Sequence, residues 1–218
     1  MKRIVILISG RGSNMLALIK ACLSGLCPAK IVGIFSDRQS ATGLQVAAIY
    51  GFKTELVDFK QAGNLTNFEY ELDKQISTLK VDLIILAGFM RVLSSTFVAR
   101  YEGRMINIHP SLLPSFPGLN THQRALAEGV KWHGATVHFV TAQLDQGPII
   151  AQAAVPVLVN DTIKTLSERV LKAEHQLLSQ TLSWLVKDKV KWVNDANGSF
   201  ITYSKDISQQ HIAFLGTC

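Results

Sequence analysis

Short apolar runs bounded by turn residues alternate along this chain with segments of helical period, and that alternation restricts the fold more than any other feature. Residues 3–8, 31–35, 83–87 and 105–108 are rich in Ile, Leu and Val without the polar alternation of a half-exposed strand. That pattern predicts strands covered on both faces. Between them, residues 14–23 follow a Ser13 or Asn14 cap, 43–50 precede Gly51, 68–79 are amphipathic and 121–128 end before Gly129. These are helix signals. Strand and helix in strict turn predict an α/β fold, a mostly parallel twisted sheet flanked by helices.

The later chain changes character. Residues 135–140 and 149–157 have strand composition, separated by a loop with Asp145 and Gly147-Pro148, which predicts an antiparallel edge to the sheet. Residues 162–186 carry Ile163, Leu166, Val170, Leu177 and Leu178 at helical spacing. After Lys187, Asn197-Gly198 between Trp192-Val193 and Phe200-Ile201 reads as a hairpin. With no linker, repeat or low-complexity tract, residues 1–218 are expected to form a single domain.

Composition narrows the function classes. In 218 residues, 48% are apolar and 17% charged, which excludes a disordered chain. Cys22, Cys27 and Cys218 form neither a disulfide framework nor a Cys-x-x-Cys pair, so a cytoplasmic location is expected. The apolar start, Ile4 to Ile8, is too short for a signal segment or a membrane span. No membrane partner is therefore expected. The net charge of +6 comes from scattered basic residues, so a small anionic substrate is expected rather than nucleic acid.

The densest chemistry lies in Asn107-Ile108-His109-Pro110-Ser111-Leu112-Leu113-Pro114, which follows an apolar run. Asn107 and His109, two apart on an extended backbone, point to the same side and can both donate to one developing oxyanion. The prolines hold that junction with little entropy left to lose. A histidine satisfying loop carbonyls beside a Pro-rich turn is the plainer alternative.

Ser9-Gly10-Arg11-Gly12-Ser13-Asn14 joins the first strand to the first helix. Free backbone N–H groups and a positive dipole end make this a phosphate cradle in outline, or simply a tight turn with a Ser or Asn cap. A dinucleotide fingerprint needs a small residue where Met15 stands, although Asp37 lies where a ribose-binding acid is expected. No Walker Gly-Lys-Ser/Thr follows.

Gly88-Phe89-Met90-Arg91-Val92-Leu93 leaves another buried strand at its carboxyl end, where open α/β sheets bind ligands. Met90, Val92 and Leu93 either wall an apolar pocket or pack beneath a loop. Asp145 either caps a turn or faces His109, where it would favour the imidazolium form. Glu174 interrupts the apolar row of the long helix, and it either takes a partner there or snorkels from the edge of the stripe. His133 and His138 have a structural reading, and the six histidines show no metal spacing, so no metal is expected.

Taken together, Ile8 to Asn14, Ala87 to Leu93, Asn107 to Gly118, His133-Gly134, His138-Phe139-Val140 and Leu144-Asp145 resemble, in order and spacing, the phosphoribosylglycinamide formyltransferases, folate-dependent enzymes of purine synthesis. The resemblance covers nearly the whole chain up to Lys187. It implies a Rossmann-like formyltransferase fold with a phosphate-binding half at about residues 1–100, a folate and catalytic half at about 101–187 and a tail at about 188–218. It also implies formyl transfer from 10-formyltetrahydrofolate, a co-substrate, to the amine of the phosphoribosyl glycinamide.

By the same resemblance, Gly12, Ser13, Asn14 and Glu174 hold the phosphoribosyl substrate, while Met90, Arg91, Val92, Leu93 and Asn107 line the folate site. Asn107, His109 and Asp145 are the catalytic trio, with Ser111, Gly118 and His138 in support. The expected assembly is a monomer or homodimer. Three positions depart from the family pattern: Leu65 stands where a folate-contacting arginine is common, Asn120 replaces a histidine, and Gln146 replaces the first glycine of Asp-Gly-Gly. Glutamine lacks glycine's positive-φ freedom, which predicts a stiffer folate loop and an altered folate affinity.

The competing activities are methionyl-tRNA formyltransferase, expected to carry a further carboxyl-terminal domain and a basic extension, and a formyltetrahydrofolate deformylase, expected to carry an amino-terminal one. A nucleotide-binding sensor is the non-enzyme alternative.

Overall fold

The computed structural model describes residues 1–195 and 198–207, and the backbone of 213–215. The chain divides into two compact units, Met1–Asn107 and Ile108–Cys218.

In the first unit, β1 (Lys2–Ile8), α1 (Ser13–Leu23), β2 (Ala29–Ser36), α2 (Gly43–Ile49) and β3 (Thr54–Leu56) are followed by α3 (Phe59–Ala62), α4 (Leu65–Thr78), β4 (Leu83–Leu86) and α5 (Ser95–Arg100). The fifth strand, β5 (Met105–His109), begins in this unit and ends in the second. Strand order is β5-β4-β1-β2-β3, all parallel. Ile4 to Ile8 are fully buried, as a strand flanked on both edges and covered on both faces must be. Because the chain leaves β1 for β2 on one side and later returns to β4 on the other, the strand order reverses at β1. The crevice beyond the carboxyl ends of β1 and β4 is where such sheets take ligands.

The second unit contains α6 (Thr121–Ala127), β6 (Trp132–Phe139), β7 (Ile149–Pro156), α7 (Ile163–Val186), β8 (Val190–Asp195), β9 (Gly198–Tyr203) and β10 (Ala213–Leu215). The expected antiparallel pair is β6 with β7, its register shifting between Val137 and His138, and β10 runs parallel to β7. Helix α7 packs on β6 and β7 and buries Leu166, Val170, Leu177 and Leu178. Thr162 caps it, accepting from the N–H of Thr165. The tail hairpin is β8 with β9, paired from Val190↔Tyr203 to Asp195↔Gly198, and its expected turn residue Asn197 lies outside the described residues. Trp192 stacks near Phe139, ring centres 5.4 Å apart, and the Tyr203 hydroxyl donates to the Ile150 carbonyl.

Helix α4 starts at Leu65, not at Phe68 where its apolar period becomes readable. Asn64 caps it, its side chain accepting from the N–H of Asn67 at 2.9 Å. The short elements β3, α3, α5 and β10 have no counterpart in the sequence reading, since three to six residues do not establish a period.

Candidate active site

Strand β1 delivers Ser9 and Gly10 to the switch point, and the turn into α1 is made by Gly12 in the left-handed region, φ 72°. The cap position of α1 is Gly12 itself, which has no side chain to cap the helix. Ser13 is half-buried, Asn14 buried and Arg11 exposed. The loop is braced by Gly43, whose N–H donates to the Gly10 carbonyl at 3.0 Å. A Cβ on Gly43 would stand 2.5 Å from Ile8 Cδ1 and 2.9 Å from the Gly10 oxygen. Gly43 belongs to the loop's construction, yet in the sequence it reads only as the start of a helix.

The second loop leaves β4 through Gly88, at φ 76°, and is tied to the first. Ser9 N–H donates to the Gly88 carbonyl at 3.0 Å, and Ser9 Oγ accepts from the Met90 N–H at 2.8 Å. Residues 90–93 then alternate. Met90 and Val92 are 59% and 61% exposed, Leu93 is buried, and Arg91 turns inward to Asp37, Nη2 to Oδ2 2.9 Å. The two outward apolar side chains, not all four, are available to wall a ligand.

In the second unit, β5 ends in His109, whose side chain is 7% exposed and lies 3.4 Å from Asp145, Nδ1 to Oδ2. The Asp145 Oδ2 also accepts the Gly118 N–H at 2.8 Å. Its other oxygen lies 3.8 Å from His138 Nε2. His109 Nε2 stands 3.0 Å from the Phe116 carbonyl; a carbonyl only accepts, so Nε2 carries a proton. The imidazole can therefore donate to Asp145 as well only when both nitrogens are protonated. Ser111 Oγ donates to the Ser115 carbonyl at 2.6 Å and more weakly to that of Phe116 at 3.2 Å, which fixes the loop that His109 addresses. His138 Nδ1 donates to the Phe139 carbonyl at 2.9 Å. Burial lowers the His138 pKa, opposed by that carbonyl and by Asp145, with His109 adding to the lowering.

Asn107 lies two residues before His109 on β5 and is half-buried. Strand alternation puts both side chains on one side. Within the second unit, an imidazole that can carry two protons beside a carboxylate suits a reaction in which a proton must move.

Residues 2–182 match the formyl transferase family. The phosphoribosylglycinamide formyltransferase of Escherichia coli is 42% identical over 193 residues, 88% of this chain and 91% of that protein. This chain belongs to the phosphoribosylglycinamide formyltransferases. The crystal structure of the phosphoribosylglycinamide formyltransferase from Brucella melitensis superposes with a TM-score of 0.81 at 53% identity, covering 84% of this chain and 95% of that one. The trifunctional purine biosynthetic protein adenosine-3 of Gallus gallus is 44% identical over 87% of this chain, which spans only 19% of that longer protein.

Against the formyltransferase pattern, the three departures can be located. Leu65 is the first residue of α4 and half-buried. Asn120 has φ 57° immediately before α6, a left-handed position that asparagine tolerates better than most residues. At Gln146 the fold asks for no positive φ: that conformation belongs to Asp145, at 54°, and neither Gln146 nor Gly147 is in the left-handed region. Gln146 is exposed and carries no backbone penalty. The strained residue is the carboxylate itself.

Glu174 is buried on α7 at 7% exposure, inside the helix and not at its rim. The sequence also left unread a histidine pair: His122 Nδ1 and His133 Nε2 lie 3.2 Å apart, and the Phe116 ring stands edge-on to His133. His133 Nδ1 is buried without a hydrogen-bond partner among the described residues. A bare nitrogen costs less there than an unmet N–H, so His133 donates from Nε2 to His122. Burial, with smaller contributions from His122 and His109, pushes His133 down to about 4.

This shift has a stability consequence. The unfolded chain takes up this proton below about pH 6.5 and the folded one only near 4, so stability is full above that window and falls as pH drops through it, by up to about 3 kcal/mol. Urea unfolding between pH 7 and 4 should show this slope, and His133→Gln should flatten it.

Among the described residues no group of His, Cys, Asp and Glu is arranged to hold a metal ion, and no helix is long and apolar enough to cross a membrane.

Proposed function

We infer that this chain transfers the formyl group of 10-formyltetrahydrofolate to the amine of 5-phosphoribosylglycinamide, giving formylglycinamide ribonucleotide and tetrahydrofolate in purine synthesis. The observation that carries this reading is Asp145 Oδ2, shared between the Gly118 N–H and His109 Nδ1. In the proposed reaction the amine nitrogen attacks the formyl carbon, forming a C–N bond and a tetrahedral intermediate with an oxyanion and an ammonium. Asn107 and the doubly protonated His109 donate to the oxyanion. To do so His109 Nε2 exchanges the Phe116 carbonyl, its partner at 3.0 Å, for the charged oxygen, a stronger acceptor. Asp145 holds the second proton of the ring, and water beside it passes the ammonium proton to the folate nitrogen as the bond from that nitrogen to carbon breaks.

The remaining assignments are Gly12, Ser13 and Asn14 for the phosphoribosyl substrate, Glu174 for its ribose hydroxyls, and Met90, Val92 and the backbone of Arg91 and Leu93 for the folate. Both substrates are small molecules, and a cytoplasmic enzyme, monomer or homodimer, is the setting proposed for them. Incubation of the pure protein with both substrates should yield both products. Formylation of methionyl-tRNA, release of formate without an amine, or binding without turnover would each replace this reading. His109→Ala should lower kcat by ~10²–10³, the usual loss for one oxyanion donor, with both KM values little changed. Wild-type turnover would remove His109 from the chemistry.

A further inference from the structure

Asp37, just beyond β2, is buried at 1% exposure. In the sequence it stands where a ribose-binding acid is expected, but in the fold it has other work. Its Oδ2 accepts from Arg91 Nη2 at 2.9 Å and its Oδ1 lies 3.4 Å from Arg38 Nε. The Arg91 guanidinium carbon sits 3.3 Å from the Phe59 ring centre and 5.4 Å from that of Phe68. Those rings meet edge to face at 5.7 Å. Arg91 Nε is buried with no hydrogen-bond acceptor among the described residues. The guanidinium is thus held by one carboxylate and a flat aromatic face, an arrangement lysine does not reproduce.

The same loop is pinned on either side of Arg91. Met90 N–H is held by Ser9 Oγ. Ser94 donates its N–H to Glu69 Oε1 at 2.6 Å and its hydroxyl to Oε2 at 2.5 Å, from a glutamate that is itself buried. Three side chains from three other segments therefore set five consecutive residues, and between the pins Met90 and Val92 stand outward in water. Holding exposed apolar groups on an immobilised backbone gives the folded chain nothing, while it lowers the ordering cost of receiving a flat apolar ligand.

We propose that Asp37 and Arg91 are positioning residues for the folate: their ion pair, seated on Phe59, fixes the backbone of residues 90–93 on which the pterin packs, and acts on folate binding and not on the transfer step. This rests on the reading that residues 90–93 carry the folate. Removing one partner leaves a buried charge unmet and the loop free to shift, and small displacements at a positioning element are expensive.

The test is steady-state kinetics with both substrates varied. Asp37→Asn should raise the KM for 10-formyltetrahydrofolate about tenfold, with kcat and the KM for phosphoribosylglycinamide unchanged. Arg91→Gln should do the same, and the double variant should cost less than the two singles combined, because both changes break one ion pair. If Asp37→Asn does not fold, Phe59→Leu, which removes the platform and keeps the charges, should raise the same KM. Val92→Asp tests the underlying reading. A folate KM raised by Val92→Asp but unmoved by Asp37→Asn or Phe59→Leu ends the proposal and leaves the loop as a folate wall. A folate KM indifferent to Val92→Asp overturns the wall and the proposal with it, as would additive single variants overturn the coupling.

Discussion

Asp145→Asn lowers kcat by about 10³ or more while the protein stays folded and both KM values hold. The size follows from what the amide can and cannot copy. Its carbonyl oxygen can still accept the Gly118 N–H now bound at 2.8 Å, so the loop keeps its anchor. That same oxygen, Oδ2 in the carboxylate, is the one that faces His109 Nδ1 at 3.4 Å, and as an amide oxygen it brings no negative charge to favour the second ring proton. With Nε2–H committed to the Phe116 carbonyl, the ring then has no charged partner to hold a proton on Nδ1 as well. An imidazole in the wrong protonation state for its role costs about 10⁴ where a comparable carboxylate-to-amide change has been made beside a catalytic histidine. Single-turnover rates at saturation of both substrates measure it directly. Turnover within tenfold of wild type would mean that the charge of Asp145 is dispensable.

How far the sequence already contained this arrangement depended on whether a feature was periodic or local. The five fully buried residues of β1 were readable because a strand flanked on both sides allows only apolar side chains. The same holds for the stripe of α7, where Leu166, Val170 and Leu177 recur at helical spacing. Helix α4 was readable only from Phe68, since its first turn, Leu65 to Asn67, contains one apolar residue and its true start is a cap at Asn64. Strand β3 and helix α3 have three and four residues, too few for any period, and tertiary context alone defines them.

The site divides in the same way. Asn107, His109 and Asp145 were legible as residue types in an ordered motif, and His109 does face Asp145. The backbone groups that complete the arrangement, the Phe116 carbonyl and the Gly118 N–H, belong to every residue and leave no mark in a sequence. Asp37 shows a different limit. Its position after β2 suits a ribose ligand and a buried ion pair equally well, and only the location of Arg91, 54 residues away, separates them. Of Met90, Val92 and Leu93, read either as a pocket wall or as packing beneath a loop, the first two stand outward and Leu93 turns in with Arg91, because strand-like alternation persists beyond the end of β4.

Gly147 is where the largest structural penalty is expected. A Cβ there would stand 1.8 Å from the Phe139 carbonyl oxygen and 2.8 Å from its carbon, far inside contact distance and against backbone that no rotamer change can clear. The Phe139 oxygen is the acceptor that His138 Nδ1 uses at 2.9 Å, and the Phe139 N–H donates to the Pro148 carbonyl at 3.0 Å. Alanine at 147 therefore forces apart the end of β6 and the loop that carries Asp145, two residues before. Overpacking of this kind costs about 3 kcal/mol, and a displacement near 1 Å of the carboxylate removes about 10² in rate. Gln146→Ala, one residue away but exposed and at an ordinary φ, should change stability by less than about 0.5 kcal/mol. Thermal unfolding and kcat measured on the two variants side by side separate a general loop effect from the steric one. Equal behaviour of the pair would show that the Phe139 carbonyl yields freely and that Asp145 is not held in place by it.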